Sequence, residues 1–449
     1  MALTANWPLE MRRNESARAS MPEAVLRSFS PTTPAERGLI ATTVILLPIE
    51  NQIPAVGGFS VLFLLFGVIA VYVALNRLVN LDRVWMHPVF AATFLFLLVT
   101  GALEFTSPLP MYRDLARFAL AVCGAVLLAC LCRDRAALRM ALYGYLCSGL
   151  VLSSLLYLTS YDILSQATVG GFQDATDLRA ETFRESPIQA NLNSLALLTA
   201  QAGVIALGLG LASRGRPSVV FLGIAGFCIL SSMLTMSRGG LAIAALSSAT
   251  VLFAHGLKRA RTLLLVGLLT SGLLGAMPDA IFSRMSFSTE KQDSRLEARA
   301  SLYVGALNTL PEYVLSGVGA GNFYQKWGFE KGFVRGHHRL KVVAVHNSFL
   351  QIMINWGLIG LLMYLTIVWQ AYRCLPQKYG NDGLALGLLG LATSCLLWAV
   401  VSHNFYDKSF TLALGMLAGA HRWIWPQAFA RELRESNSTL IPRIAPTQH

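Results

Sequence analysis

The sequence predicts an all-α polytopic membrane protein of about twelve transmembrane helices, and three observations lead there. The 449-residue chain is 54% hydrophobic and only 13% charged, about half the charged fraction of an ordinary soluble domain. It contains twelve mostly apolar stretches of roughly 17 to 25 residues, long enough at 1.5 Å per residue to cross a hydrocarbon core of about 30 Å. Its excess of basic residues falls on one side of the resulting topology. The same composition excludes disorder, and 37 Gly and 17 Pro are not the excess that collagen-like or low-complexity chains show.

In chain order, residues 1–37 form a polar tail with no apolar core and no small-residue cleavage site, which argues against a signal peptide. Within 38–278 lie nine spans, at 38–55, 57–76, 87–104, 113–132, 136–159, 188–212, 217–236, 238–257 and 261–278. The first is interrupted by Glu50, Asn51 and Gln52, which predict a tilted, broken or shortened helix because polar groups are expensive in hydrocarbon. A large loop over 279–346 follows, then three spans at 347–372, 383–403 and 409–426, and a tail over 427–449. There is no internal repeat and no low-complexity segment.

An even number of spans puts both termini on one side. Counting Arg422 at the inner end of the last span, that side carries 21 Lys and Arg against 9 Asp and Glu, whereas the other carries 15 against 15. The positive-inside rule therefore makes the termini cytoplasmic. The whole net charge of +12 is explained by topology, so a nucleic-acid partner is not expected. Cys123, Cys130, Cys132, Cys147, Cys228 and Cys395 fall inside spans and Cys374 at a cytoplasmic end. No outward disulfide is expected, and the cysteine spacings do not resemble a zinc site.

Two outward loops are long, 160–187 and 279–346, and long loops are usually functional. In the larger, Asp293 to Leu310 reads as an amphipathic helix with Leu296, Tyr303, Leu307 and Leu310 on one side, stopped by Pro311. Gly317, Gly319 and Gly321 predict a flexible turn, and Phe323–Gly332 a second short helix. The outward arginines break the charge bias and so invite a reason. Arg179 and Arg184 precede the sixth span, Arg238 opens the eighth in Ser237-Arg-Gly-Gly240, and Arg295 and Arg299 share one face of the loop helix. A single interfacial arginine is most often a snorkelling anchor, and Asp177, Glu181 and Glu185 offer loop salt bridges. Convergence near the outer ends of spans six, eight and ten would instead make an anion site, since guanidinium forks match phosphate oxygens.

At the join of the large loop and the tenth span stands His346-Asn347, followed after nine residues by Gly357 and then Gly360. A lone histidine at a helix start is usually structural. This string, however, resembles the signature of the O-antigen ligase and O-antigen polymerase superfamily. Ser237-Arg238-Gly239-Gly240 is similar to the family's Ser-Arg-Gly element. Arg184-Glu-Ser-Pro-Ile-Gln189-Ala-Asn191 resembles its arginine-then-Pro-Asn element, with a looser Pro-to-Asn spacing. Ser294-Arg295, a helix, and Gly317-Val-Gly319 resemble the stretch before the family histidine. The resemblance covers about 180–360.

It implies a glycosyltransferase of GT-C-like helical architecture in the inner membrane of a Gram-negative bacterium, with a periplasmic active site, working without cofactor or metal. The donor implied is an O-antigen glycan on undecaprenyl pyrophosphate. Arg184, Arg238 and Arg295 would stabilise the departing pyrophosphate, and Arg179, Arg299, Asn191 and Gln189 would help to bind substrate. His346 would be the general base for the attacking sugar hydroxyl, kept neutral by nearby arginines. Asn347 would orient ring or sugar, or simply cap the tenth span. A single displacement inverts the anomeric centre, and no carboxylate nucleophile stands out. Among acceptors, the sugar of lipid A–core (a ligase) is favoured by loop size and span count over a second lipid-linked repeat (a polymerase) or a protein hydroxyl. Membrane lipids are the remaining partners. A lipid-linked oligosaccharide flippase is the reading from another class, and the scarcity of mid-membrane charge opposes it. Gly317-Val-Gly319-Ala-Gly321 is not read as a nucleotide loop, because no strand precedes it. His337-His338 lack the helix spacing of a metal pair.

Overall fold

The computed structural model describes residues 30–49, 61–107, 110, 112–160, 192–235, 237–256, 300, 302–323, 327–331, 345–402, 405 and 407–425. Among these every regular element is helical. The longer helices are α1 (Pro34–Ile49), α2 (Val61–Asn76), α3 (Leu78–Trp85), α4 (Pro88–Phe105), α5 (Tyr112–Leu131), α6 (Arg135–Ser160), α7 (Leu192–Ala212), α8 (Arg216–Leu234), α9 (Arg238–His255), α10 (Ser348–Arg373), α11 (Gly383–Val401) and α12 (Lys408–Gly419). A π-helical turn, Ala420–Ile424, prolongs α12. Seven of the helices, α4 to α8 with α10 and α11, are long and apolar enough to cross a membrane. The expected ninth span, 261–278, lies outside the described residues.

Helix α7 is the hub of the bundle and is buried along nearly its whole length. Helices α6, α8, α9 and α11 surround it. Its small residues explain the closeness of these contacts, as apolar helices in lipid associate through packing rather than water exclusion. A Cβ on Gly208 would lie 2.7 Å from the backbone nitrogen of Gly387 in α11, so the two backbones touch there. Helices α4 and α10 form a second pair, and Phe96 of α4 and Trp356 of α10 interlock edge to face with each other, Phe96 also with Phe118 of α5, and both with Phe405 from the connection between α11 and α12.

Helix α3 is an element that hydropathy did not reveal. It lies in the expected cytoplasmic loop 77–86, buries Asn80 and Val84, and exposes Leu78 and Trp85, which is the division expected of a helix lying along a membrane surface.

The two ends of the bundle differ. One, the basic end, carries Arg77, Arg133 and Arg135. Here Thr33 and Glu36 form a capping box at the start of α1, with Glu36 Oε2 accepting the Thr33 amide at 2.7 Å and Thr33 Oγ1 accepting the Glu36 amide at 3.2 Å. The same buried carboxylate accepts Arg77 Nε at 2.7 Å and Arg133 Nη2 at 3.4 Å. Burial alone would raise its pKa, but these hydrogen bonds and the two guanidinium charges outweigh it and hold the group below its usual value. Asp134 fastens the neighbouring strap, accepting the Thr32 amide at 2.8 Å and its hydroxyl at 2.6 Å.

Candidate functional site

The other end, the loop end, gathers the starts of α7, α9 and α10 and the close of α11. Ser237 caps α9 by accepting the Gly240 amide at 3.2 Å, and its hydroxyl donates to Asn193 Oδ1 in the first turn of α7 at 3.0 Å. Gly240 presses on Ala196 of α7, and a Cβ on Gly239 would face Val401 at 3.7 Å. The next residue of that chain end, Ser402, accepts the Ser348 hydroxyl at 2.7 Å. Gly239 of α9 and Ser348 of α10 thus both approach the end of α11, at Val401 and Ser402 respectively. Arg238 occupies the first turn of α9, where the helix dipole disfavours a cation by roughly 0.3–1 kcal/mol.

His346 is the one described non-glycine residue with a positive φ, at 55°. That left-handed backbone costs a residue with a Cβ about 1–2 kcal/mol, and such strain persists only where neighbours impose it. They do so on both sides. The Val345 amide donates to Gln351 Oε1 at 3.1 Å, and the Tyr303 hydroxyl donates to the His346 carbonyl at 3.3 Å. Asn347 then caps α10, its Oδ1 accepting the Leu350 amide at 3.0 Å, so the capping role weighed for it from sequence is the one its oxygen performs. Gln351 Nε2 continues to Asn355 Oδ1 at 3.0 Å. Both amide side chains are buried.

One turn further, α10 is interrupted. Trp356 (φ −133°) and Gly357 (φ 65°) leave helical geometry, and the loop segment 314–321 fills the gap. Val318 and Gly319 amides donate to the carbonyls of Ile354 and Asn355, each at 2.9 Å, while the Leu358 amide donates to Val314 at 2.7 Å and Ile359 to Leu315 at 3.4 Å. Two carbonyls and two amides beside the break thus find partners in the loop, as backbone polar groups at membrane depth must. The crossing requires glycine: a Cβ on Gly317 would sit 2.2 Å from the Asn355 oxygen, and one on Gly357 2.1 Å from the Leu315 oxygen. Glu104, the penultimate residue of α4, clamps the crossing. Its wholly buried carboxylate accepts the Ala320 amide at 3.0 Å, the Gly321 amide at 3.3 Å and Trp356 Nε1 at 3.1 Å.

These facts amend two expectations. The tenth span is two half-helices rather than one, because Gly357 yields to an inserted loop. The 317–321 turn is fastened rather than flexible, because its amides are spoken for. In the large loop, the amphipathic helix is seen over 302–308 and stops before Pro311, with Leu302, Tyr303 and Ala306 turned inward. Leu307 faces out, 61% exposed, against the predicted face. Of the predicted second helix, Phe323–Gly332, the described residues include Phe323 and Trp327 in π-helical conformation and a helical turn at Gly328–Glu330, preceded by another at Ala320–Asn322. Of the sequence-predicted site, His346, Asn347 and Arg238 come to one end. Arg179, Arg184, Gln189, Asn191, Arg295 and Arg299 lie outside the described residues. Sequence reading missed Gln351, Asn355, Trp356 and Glu104. An Asn-Gln-Asn series spaced by four within an apolar span was the available signal, since it lays three amides along one helix face.

A second cluster lies at the basic end, where His87, Cys374 and His421 bring potential metal-ligand atoms within 4.8 Å of one another. They come from three distant parts of the chain, so spacing had no means of revealing them. The Val89 amide donates to His87 Nδ1 at 3.3 Å, and His87 Nε2 faces His421 Nδ1 at 3.1 Å. An acceptor at Nδ1 puts the neutral ring's proton on Nε2, which makes the contact an imidazole–imidazole hydrogen bond. All seven cysteines are unpaired.

A solved structure from "Structural coordination of polymerization and crosslinking by a peptidoglycan synthase complex" contains a chain similar over 74% of this chain and 97% of its own, at 16% identity and a TM-score of 0.40. That likeness is too distant to bear on function. Among curated proteins none matches the chain. Residues 221–365 match the family described as O-Antigen ligase, a stretch that includes the start of α9, the fastened loop, His346 and the break in α10. That match, which spans about a third of the chain, makes residues 221–365 similar to the O-antigen ligase family, whose members are enzymes of glycosyltransferase type.

Proposed function

We propose that this protein is an O-antigen ligase that transfers the polysaccharide from undecaprenyl pyrophosphate to a sugar hydroxyl of lipid A–core at the periplasmic face of the inner membrane. The observation that carries the reading is the left-handed backbone of His346, held at the loop end beside the helix start that bears Arg238. In this reading twelve spans place both termini in the cytoplasm and the loop end in the periplasm. The acceptor hydroxyl gives its proton to the His346 imidazole as its oxygen bonds to the anomeric carbon. The bond from that carbon to the pyrophosphate oxygen breaks, and its electron pair leaves with the phosphate. Arg184, Arg238 and Arg295 stabilise that charge, which removes the need for a divalent cation. Arg179, Arg299, Gln189, Asn191 and the Asn347 amide nitrogen hold sugar or phosphate oxygens. One displacement inverts the centre.

The test reconstitutes the full chain with lipid-pyrophosphate-linked glycan and rough lipopolysaccharide in EDTA, and follows acceptor mass. Capped lipopolysaccharide from wild type, falling about 100- to 10,000-fold in His346→Ala, is the expected result. Elongation of the lipid-linked glycan without the core acceptor would make the protein a polymerase. Full activity of folded His346→Ala would remove the base from the mechanism, and loss of wild-type activity in EDTA would mean that a metal takes part.

A further inference from the structure

We propose that Gln351 and Tyr303 are positioning residues that set the reactive geometry of His346, an inference that rests on the assignment of His346 as general base. Neither belongs to the motifs that the sequence put forward, and neither is asked to touch substrate. Two backbone groups, the Val345 amide one peptide before the residue and the His346 carbonyl just after its Cα, bracket the segment that fixes where the imidazole points. Each is bound by one of these side chains, Gln351 Oε1 on the Val345 amide at 3.1 Å and the Tyr303 hydroxyl on the His346 carbonyl at 3.3 Å. A left-handed residue directly before a helix cap turns its neighbouring amide and carbonyl out of the helical pattern, so they need partners from elsewhere.

The bland account holds that Gln351 and Asn355 are a buried amide pair satisfying each other. It leaves unexplained why an apolar pair is not there instead, which would remove two buried polar groups. The third bond, to Val345, supplies the reason. It also ties the His346 turn to a rigid element. Gln351 Nε2 binds Asn355 Oδ1 at 3.0 Å, and the Asn355 carbonyl accepts Gly319, in the turn clamped by Glu104. Through this ladder the His346 backbone is referenced to α4 and α10, while Tyr303 references it to the loop. An acceptor sugar must reach the imidazole within hydrogen-bond distance, and displacement by about 1 Å is worth about 100-fold in rate.

The experiment compares full-length wild type with Gln351→Leu and Tyr303→Phe in lipid nanodiscs. Two quantities are measured: the initial rate of transfer from lipid-pyrophosphate-linked glycan to rough lipopolysaccharide, and the rate at which diethyl pyrocarbonate modifies His346, read by mass spectrometry of its peptide. Gln351→Leu is expected to lower kcat about 10- to 100-fold with the donor KM within about twofold, and to change the modification rate of His346 several-fold. Tyr303→Phe is expected to do the same to a smaller degree, and because it removes one hydroxyl from a half-buried site it decides the matter if Gln351→Leu does not fold. Wild-type kcat and modification rate in the folded variants would overturn the proposal. So would a raised KM at unchanged kcat, which would make Gln351 a donor-binding residue. If wild type transfers no glycan, the ligase reading fails, while the modification rates still decide whether these residues set His346.

Discussion

The basic end and the loop end of the bundle are both rich in buried polar groups, yet they use them in opposite ways. At the basic end, groups of opposite charge meet in relaxed geometry: a capping box, a carboxylate between two guanidinium groups, a bidentate pair. At the loop end the polar contacts hold the chain in conformations it would otherwise leave, a left-handed histidine and a helix broken in mid-course. Polar groups that relieve strain elsewhere impose it here, and imposed strain is where chemistry is usually found.

Substitutions at the two ends should therefore fail differently. Gly357→Ala should have the largest effect on the fold. Its Cβ would lie 2.1 Å from a backbone oxygen at a φ of 65°, so loop and helix cannot both keep their places. A loss of about 3 kcal/mol or more is expected, seen as a fall in the folded fraction by fluorescence-detected size exclusion. If the variant behaves as wild type, the crossing of 314–321 with α10 is not essential. Glu36→Gln should come next, at about 3 kcal/mol, because two buried guanidinium groups lose their carboxylate. This contribution is also pH-dependent. The folded-state pKa of Glu36 lies below its unfolded value, so its stabilisation is complete above the unfolded pKa, near 4.5, and is lost as pH falls through the folded one. Wild type should lose thermal stability more steeply than Glu36→Gln over that acidic window, and parallel curves would remove the charge from the account. Arg135→Ala should have the smallest effect. Its pair with Asp382 is bidentate, at 2.7 and 2.8 Å, but half of the arginine is exposed, so less than about 1 kcal/mol is expected. A larger shift in melting temperature would show that this end is less self-sufficient than its geometry implies.

Much of this architecture was legible in the sequence because hydropathy is a local property. The apolar runs of α4 to α8 and of α11 mark themselves, and so does the cap at Asn347. His346 was legible because it stands in a string of fixed spacing. The break in α10 was not: Trp356-Gly357 lies in a span hydrophobic enough to read as one continuous helix, and what makes Gly357 a break is a loop some 40 residues earlier in the chain. Glu104 was read as the end of a span, since nothing near it announces three donors from the residues at 320, 321 and 356. Helix α3 hid in a charged connection too short to register as hydrophobic. Apart from α3, what escaped was a contact between distant segments.

The interrupted helix also bears on how the protein is made. The groups that close the gap at Ile354 to Ile359, namely the peptides at 314–319 and the carboxylate of Glu104, all precede it in the chain. Synthesis from the N-terminus therefore produces the mould before the part that is cast in it. When the two half-helices leave the ribosome, their missing partners have already been translated, so the exposed peptide groups can be covered as they enter lipid. A rearranged gene that placed α10 ahead of the loop would encode the same contacts and lose that order.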